Sequence, residues 1–270
     1  MVKALIAILL IGCADAINKR ARQAGIPIGR YLLVQGPVFS AVTLIVALGS
    51  TGLKLSGSDL FYSLIGGALS FAAFVVMLRG LSRGLASTNY AIFRLSFVFS
   101  SGAAIVLFRE GVSPGKIVGI VLAVGAIVLF SGRPGGMAPA AVAAMFINAC
   151  FQLFLKAVAG AVGSTASLFF LMSLVFLILT LGYNLAFVRG RLEPRVLRYA
   201  LPNGVLMAIG TLFVLGALER GEASRVLPVV QLSFIITAAA AVMFLGEKLT
   251  RFHLAGIISA VLAIGLLALV

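Results

Sequence analysis

Charged residues inside apolar stretches are the residues of this chain whose types and positions could support chemistry. Asp15, Arg94 and Lys156 each lie within a segment that is otherwise apolar and long enough to cross a bilayer. One Arg, Lys or Asp near the bilayer centre costs about 2.5–3.5 kcal/mol on insertion scales. Three such costs would approach the net stability of a whole protein. We therefore expect each of these side chains to reach the membrane surface, to form a pair, or to face a watery cavity.

Arg94 lies about two turns into the fourth apolar segment, and Tyr90 precedes it by one turn. The equivalent position in the second half of the chain is Gln231. Two interpretations are open: Arg94 and Gln231 line a central substrate cavity together with Tyr90, or Arg94 forms a buried structural pair with Asp15. Asp15 is the acid that lies furthest inside an apolar segment, which makes it the candidate carrier of a coupling proton.

Asn148, Gln152 and Lys156 are spaced four residues apart and form one polar stripe on a helix. The equivalent helix of the first half carries Asp15 and Lys19 at the positions of Gln152 and Lys156. The stripe predicts contacts with a substrate. The alternatives are hydrogen bonds between helices for the two amides, a lysine that reaches the membrane surface, and an ion pair between Asp15 and Lys19.

Tyr62, Tyr199 and Asn203 are further candidates for substrate contacts. The two tyrosines occupy equivalent positions near the starts of the third and eighth segments, where interfacial aromatic residues are also common. Glu110 and Glu247 occupy equivalent turns, and helix capping or an ion pair with Lys248 explains them more simply than proton transfer.

The composition places the chain in the membrane. It is 62% hydrophobic, 10% charged and free of Trp, with a mean hydropathy of +1.20. The predicted fold is therefore all-α and polytopic, in the cell membrane, which in a bacterium is the inner membrane. The net charge is +14, but the basic residues stand singly between apolar runs. We read them as anchors at the lipid surface, so we expect no nucleic-acid partner.

The chain consists of two copies of one unit. Residues 81–113 align without a gap on residues 218–250, a shift of 137, and we assign residues 1–133 and 138–270 to the two repeats. Each repeat holds five predicted spans, and because five is odd the second repeat enters the membrane from the opposite side. The predicted spans are 2–18, 28–49, 59–79, 87–108, 113–131, 138–161, 165–188, 197–217, 224–245 and 252–270.

Short sequence signals give three further expectations. Basic residues that follow the first and seventh spans place those loops in the cytoplasm and both termini outside. Small residues four apart around Gly119 and Gly256 predict close helix packing, either within the monomer or in a homodimer. Cys13 and Cys150 lie in apolar runs, so we expect buried, unreactive thiols, and we interpret the first run as a helix rather than as a cleaved signal.

We find none of the motifs that would indicate catalysis. The sequence has one histidine and lacks a Gly-rich phosphate loop, a nucleophile elbow and a metal-ligand cluster. We therefore expect neither an enzyme nor an ATP-driven pump, and no cofactor or metal.

One stretch resembles a known family. Gly221 to Ala223, Pro228, the run from Leu245 to Thr250, and Gly256 are similar to the EamA repeat of the drug/metabolite transporter superfamily. The first repeat departs from it, with Ala91 in place of the helix proline and Arg109 in place of the glycine before the glutamate. The resemblance implies a ten-helix carrier whose central cavity is lined by spans 1, 3, 4, 6, 8 and 9. It also implies cytoplasmic termini, the opposite of the charge pattern.

The functional hypothesis is a secondary transporter, acting as an exporter of a small polar metabolite by alternating access. Basic residues outnumber acids inside the spans, which favours a substrate with an anionic group. Two alternatives stay open. A flippase for a lipid-linked substrate would open its cavity sideways to lipid, and a non-transporting subunit or receptor would have no central void.

Overall fold

Eleven helices form the part of the chain that the computed structural model describes. That part comprises residues 2–50, 53, 56–81, 93–131, 139–159, 161–162, 164–188, 192–219, 221–245 and 250–269. The helices are α1 (Val2–Gln23), α2 (Ile28–Ser50), α3 (Gly57–Leu81), α4 (Ser96–Leu107), α5 (Pro114–Ser131), α6 (Pro139–Val158), α7 (Thr165–Phe187), α8 (Pro194–Leu218), α9 (Ala223–Gln231), α10 (Phe234–Leu245) and α11 (Arg251–Leu269).

The outer surface of the helices is apolar, as a bilayer requires. Four helices, α2, α3, α7 and α8, are long and apolar enough to cross a membrane by length and composition. Large apolar side chains face outward on them, with Ile178 66% and Leu185 90% exposed. Such exposure would be unfavourable in water but suits lipid. The all-α membrane fold predicted from composition is confirmed.

The ninth predicted span is broken, which the sequence analysis did not foresee. The chain leaves α-helical geometry at Leu232 and Ser233, where the Leu232 amide donates to the Val229 carbonyl at 3.1 Å and the Ser233 amide donates to the Val230 carbonyl at 3.1 Å. Bonds of this i to i+3 type tighten the helix locally. The first repeat has a turn at the equivalent Leu95. Residues 82–92, which precede this turn in the first repeat, lie outside the described residues. The α-helical hydrogen bonding is therefore interrupted at the same position in each repeat.

The first helix is longer than predicted and absorbs the residues assigned to its following loop. It continues to Gln23, so Lys19, Arg20 and Arg22 belong to its last turns. Lys, Arg and Gln have high helix propensity, and the helix ends two residues before Gly25, whose φ of +72° suits glycine. Arg195 and Arg198 likewise lie inside α8, which begins at Pro194.

The two repeats pack through contacts that are exchanged by the 137-residue shift. A Cβ atom at Gly67 would lie 2.6 Å from Cβ of Val175 and 2.8 Å from the Met172 carbonyl oxygen. At the equivalent Gly204 it would lie 2.9 Å from Cβ of Val38, the equivalent of Val175, and 3.0 Å from the carbonyl oxygen of Gln35, the equivalent of Met172. Contacts that swap partners in this way define a pseudo-two-fold axis between the repeats.

The direction of the helices shows that the repeats are inverted. The start of α1 lies beside the end of α8, where a Cβ at Gly216 would lie 2.8 Å from Nζ of Lys3. Further along, the Asn203 side chain donates to the Ala14 carbonyl at 2.7 Å, so α1 and α8 run antiparallel. The first and third helices of one repeat run parallel because the second returns the chain. Since α8 is the third helix of its repeat, that repeat has the opposite orientation.

The small-residue row packs within the chain. A Cβ at Gly119 on α5 would lie 2.7 Å from Cγ of Leu267 on α11. The hydroxyl of Ser259 donates to the carbonyl of Leu122, its equivalent position, at 2.9 Å. The row around Gly119 and Gly256 therefore serves packing within the monomer, and the homodimer through these helices stays a prediction without support here.

The expectation of buried thiols is wrong. Cys13 and Cys150 are both exposed in the structure, at equivalent places on α1 and α6. Their neighbours Gly12 and Ala149 face the protein instead, which turns each cysteine outward.

Candidate functional site

A cavity of about 220 Å³ lies where the two repeats meet. Its lining comes from α1, α2, α3, α6, α7, α8, α9 and residues 93–94, so it includes the second and seventh spans that the family resemblance had left out. Most of the lining residues form pairs related by the 137-residue shift. These pairs are Ile11 and Asn148, Asp15 and Gln152, Gln35 and Met172, Gly36 and Ser173, Phe39 and Phe176, Ser70 and Met207, Phe74 and Thr211, Met77 and Val214, Phe93 and Val230, and Arg94 and Gln231.

Arg94 is the buried cation of this cavity and lies on the pseudo-two-fold axis. Its guanidinium forms an ion pair with the Asp15 carboxylate. It also donates through Nη1 to Oε1 of Gln231 at 3.0 Å. A direct contact between two equivalent positions, 94 and 231, is geometrically feasible only near the axis that relates them. The two interpretations of Arg94 are therefore not exclusive, since it lines the cavity and also pairs with Asp15.

The polar stripe of α6 is held by hydrogen bonds to α4. Asn148 Nδ2 donates to the Ser96 hydroxyl at 2.8 Å, and Gln152 Nε2 donates to the same oxygen at 2.9 Å. Oε1 of Gln152 accepts from the Ser100 hydroxyl at 2.6 Å. Both amides line the cavity. The structure thus gives them the interhelical role that was weighed against substrate contact, while leaving them beside the cavity.

Lys156, the third residue of the stripe, is not among the cavity lining. Its ammonium donates to the Gly221 carbonyl at 2.8 Å and to the Leu218 carbonyl at 3.3 Å. These carbonyls belong to the end of α8 and the following turn, where a cation is favoured by the helix dipole. The position of Lys156 near the end of α6 explains why its side chain extends away from the cavity.

Three other predicted contacts also lie outside the lining, and Tyr90 lies outside the described residues. The half-buried ring of Tyr62 packs edge-on against Phe154, with centroids 6.4 Å apart. Tyr199 packs at the edge of an apolar cluster that contains Val196 and Ala200. Asn203 is fully buried and accepts from Nε2 of Gln35 at 2.7 Å. Asn203 therefore positions a lining residue rather than lining the cavity itself.

Sequence reasoning missed most of the apolar lining and four of its polar residues. The cavity is also lined by Gln35, Ser70, Ser173 and Thr211. An isolated hydroxyl in an apolar helix does not indicate a binding site, because it can donate its hydrogen bond to a carbonyl of its own helix. The Ser173 hydroxyl donates to the Phe170 carbonyl at 2.6 Å, and Thr211 donates to the Met207 carbonyl at 2.7 Å. The match between Phe39 and Phe176 was visible in the repeat but does not by itself indicate a cavity.

A polar cluster joins the repeats at the end of the helices where α9 begins. The carboxylate of Glu110 accepts from the amides of Ala223 at 2.7 Å and Ser224 at 2.9 Å. Glu110 therefore caps α9 of the other repeat, as the capping alternative predicted, whereas Glu247 and Lys248 lie outside the described residues. Buried Lys116 donates to Glu222 at 2.5 Å. This hydrogen bond is the main cause that lowers the pKa of the Glu222 carboxyl.

Metal ligands do not cluster in the described part of the chain. No three His, Cys, Asp or Glu side chains come together there as a metal site would require.

An inverted pair of helical repeats around a cavity that holds buried polar groups near their pseudo-axis defines a membrane protein of the duplicated transporter class. Comparison with known proteins agrees with this class. The sequence model of the EamA-like transporter family matches residues 1–132 and again residues 136–269, so the chain belongs to that family. The chain is thus a multi-pass membrane transporter of the drug/metabolite transporter superfamily.

Two individual proteins are similar to the chain. An uncharacterized protein of Methanocaldococcus jannaschii is 36% identical over 77 residues, which are 28% of this chain and 56% of that protein. The match therefore spans about half the length of that relative. A solved crystal structure superposes with a TM-score of 0.81 at 13% identity, covering 100% of this chain and 99% of the other. At that identity the likeness shows the fold alone.

Proposed function

We propose that the protein is a secondary carrier that binds a small organic anion at Arg94 and moves it across the membrane by alternating access. The observation that carries the proposal is a buried guanidinium on the pseudo-two-fold axis, at the wall of a cavity of about 220 Å³. A guanidinium binds carboxylate and phosphate groups through paired hydrogen bonds. A group on the axis keeps the same position relative to both repeats when the repeats exchange conformations.

Asp15 gives this site a route to proton coupling. Its carboxylate forms an ion pair with Arg94. An incoming anion would compete for the same guanidinium and leave two negative groups around one positive group. A proton on Asp15 would remove the repulsion between them, so Asp15 takes up a proton as the substrate binds. Each anion then moves together with one proton.

The inverted repeat supplies the conformational change. Two copies in opposite orientations can exchange their conformations, which converts a cavity open to one side into a cavity open to the other. The turn at Leu95 and the break at Leu232 and Ser233 are equivalent interruptions of helical hydrogen bonding in the two halves. They lie next to Arg94 and Gln231, so a change of backbone geometry there would act directly on the site.

The charge distribution supports an orientation for the carrier in the cell membrane. The face at which α1, α3 and α7 end and α8 and α11 begin carries eight basic residues of the described part of the chain. They are Lys19, Arg20, Arg22, Arg30, Arg79, Arg195, Arg198 and Arg251. The positive-inside rule makes this the cytoplasmic face and places both termini outside.

The test is a titration of the purified protein with organic acids in buffers of different ionisation enthalpy. Isothermal calorimetry then reports both binding and the protons taken up. We expect the wild type to take up one proton per bound acid and Asp15→Asn to take up none. The double variant Asp15→Asn/Arg94→Gln, which keeps the site neutral, should bind no acid. Retained binding in the double variant would disprove the anion site, and unchanged proton uptake in Asp15→Asn would disprove the coupling.

A further inference from the structure

One wall of the cavity is apolar and aromatic. It is formed by α2, α3 and α7, whereas the charged and amide groups come mainly from α1, α6, α9 and Arg94. Phe39 and Phe176, equivalent in the two repeats, both line this wall. The ring of Phe74 packs edge-on against Phe176 with centroids 6.3 Å apart. Met172 lies one turn before Phe176 on the same helix and is buried.

The hydroxyl groups through which the helices of this wall line the cavity, those of Ser70 and Ser173, are already engaged. Ser70 donates to the Gly67 carbonyl at 2.9 Å, and Ser173 donates to the Phe170 carbonyl at 2.6 Å. Each bond runs to the preceding turn of the same helix, so the hydroxyl proton is not directed at a ligand. Gln35 on α2 is the one amide of the described wall, but its Nε2 donates to Asn203 at 2.7 Å and its Oε1 is buried. The rest of the wall offers aromatic faces, methyl groups and thioethers, which favour apolar groups.

The volume sets the size of the group that fits. A cavity of about 150 Å³ lined by apolar side chains is known to bind benzene. The cavity of this protein measures about 220 Å³, which leaves room for one six-membered ring and a carboxylate. A carboxylate at Arg94 would then direct the ring towards the Phe39, Phe74 and Phe176 wall.

We propose that the substrate is an organic monoanion with an apolar body about the size of one six-membered ring, rather than the polar metabolite expected from sequence. This inference rests on the proposed anion site and adds the chemical class of the body. Hydroxyl groups on the body would lose their hydrogen bonds to water at a wall that does not replace them. A hydrophobic pocket rejects a ligand with one added hydroxyl by a factor of about 100.

Two acids that differ only in hydroxyl groups test the proposal. Cyclohex-1-ene-1-carboxylate and its trihydroxy derivative shikimate share the ring and the carboxylate. We expect the first to bind the detergent-purified protein at least about 100-fold more tightly than the second. Binding is measured rather than uptake, because protonated apolar acids cross bilayers unaided. The Asp15→Asn/Arg94→Gln variant in the same detergent corrects for partition into micelles.

The outcomes separate this inference from the function on which it rests. Preferred binding of the cyclohexene acid that is lost in the double variant supports both. Shikimate binding as tightly as the cyclohexene acid, or more tightly, with loss in the double variant, would overturn the apolar class and leave the anion carrier intact. Binding of neither acid above the double-variant background would overturn both.

Variants of the wall show whether it is the source of the selectivity. Met172→Gln places in the second repeat the residue that Gln35 provides in the first, with little change of volume. We expect it to reduce the preference for the cyclohexene acid about tenfold, because it supplies a partner for a hydroxyl. Met145→Gln buries the same amide away from the cavity and should keep the wild-type ratio. If Met172→Gln does not fold, Met77→Gln on α3, which lines the same wall, takes its place. An unchanged ratio in the wall variant that folds would overturn the assignment.

Discussion

The two repeats are more alike in sequence where they pack together at Gly67 and Gly204, a contact we call the seam, than they are in the cavity. At the seam, Gly67 and Gly204 are identical, and so are their contacts Val175 and Val38. In the cavity, ten pairs of lining residues from the described part of the chain are related by the same shift, and Phe39 with Phe176 is the only identical pair among them. The seam and the cavity lie on the same helices, so the difference in sequence similarity comes from the local surroundings of each residue.

Available space explains the difference. At the seam, a Cβ atom at Gly67 or Gly204 would lie less than 3 Å from an atom of the other repeat, so both copies require glycine. A cavity has no such neighbour, and a residue can change in one copy without disturbing the other. The repeats have used this freedom to place an arginine in one copy and a glutamine in the other. The symmetric fold therefore surrounds an asymmetric site.

The largest expected effect comes from breaking the asymmetric pair. Arg94→Gln would make positions 94 and 231 identical and leave Asp15 buried without its partner. Removing one member of a buried ion pair costs about 3–5 kcal/mol of stability. Thermal unfolding in detergent should show this loss, and Asp15→Asn added to Arg94→Gln should restore most of it. A single variant that unfolds at the wild-type temperature would show that the pair is not a structural requirement.

A seam variant tests the other side of the comparison. Gly67→Ala places a methyl group 2.6 Å from Cβ of Val175 and 2.8 Å from the Met172 carbonyl oxygen. Overpacking of this kind costs about 1–3 kcal/mol, so the unfolding temperature should fall. Gly182→Ala is the control, because a Cβ there meets nothing within 4 Å. Equal behaviour of the two variants would contradict the close approach at the seam.

Equivalent serines sharpen the comparison further. Ser96 accepts hydrogen bonds from Asn148 and Gln152, whereas the hydroxyl of the equivalent Ser233 has no hydrogen-bond partner in the described residues. Ser96→Ala leaves both amides without that acceptor and should cost about 1–3 kcal/mol. Ser233→Ala should cost little. A double-mutant cycle between Ser96 and Gln152 checks the origin, since a coupling energy near zero would refute the hydrogen bond.

Periodic patterns and the internal repeat made part of this structure predictable from the sequence. The helical spans, the inversion, and the presence of Arg94, Gln231, Asn148, Gln152 and Asp15 on inner faces all derive from apolar run length and from polar residues that lipid would penalise. The break at Leu232 was not predicted, because a helix that changes to i to i+3 bonding keeps its apolar pattern. Lys156 was assigned to the cavity because spacing fixes the helix face but not where a long side chain ends.

The apolar wall had no signal for a different reason. Phe74, Phe176 and Met172 look like any core or lipid-facing residue in a helix that is apolar all round. Only the three-dimensional contacts distinguish a residue that faces a void from one that faces lipid or another helix. The polar half of a membrane site is therefore predictable from sequence, whereas the apolar half requires the structure.

The smallest expected effect concerns a cross-repeat pair that the duplication did not copy. Lys116 pairs with Glu222, while the equivalent positions hold His253 and Leu85. The pKa of Glu222 is lowered, first by its hydrogen bond to Lys116.

A carboxyl with a lowered folded-state pKa stabilises the fold above its unfolded pKa, and this contribution is lost as the pH falls through the folded-state value. The wild type should therefore unfold at a higher temperature than Glu222→Gln at neutral pH, and the two should converge as the pH falls below about 4.5, the ordinary pKa of Glu. Because the Glu222 side chain is 39% exposed, solvent screening keeps the difference small.

Glu193→Gln removes a more exposed carboxylate at the other face and is the control. A gap between wild type and Glu222→Gln that persists at low pH would show that the carboxylate charge is not what joins the repeats there.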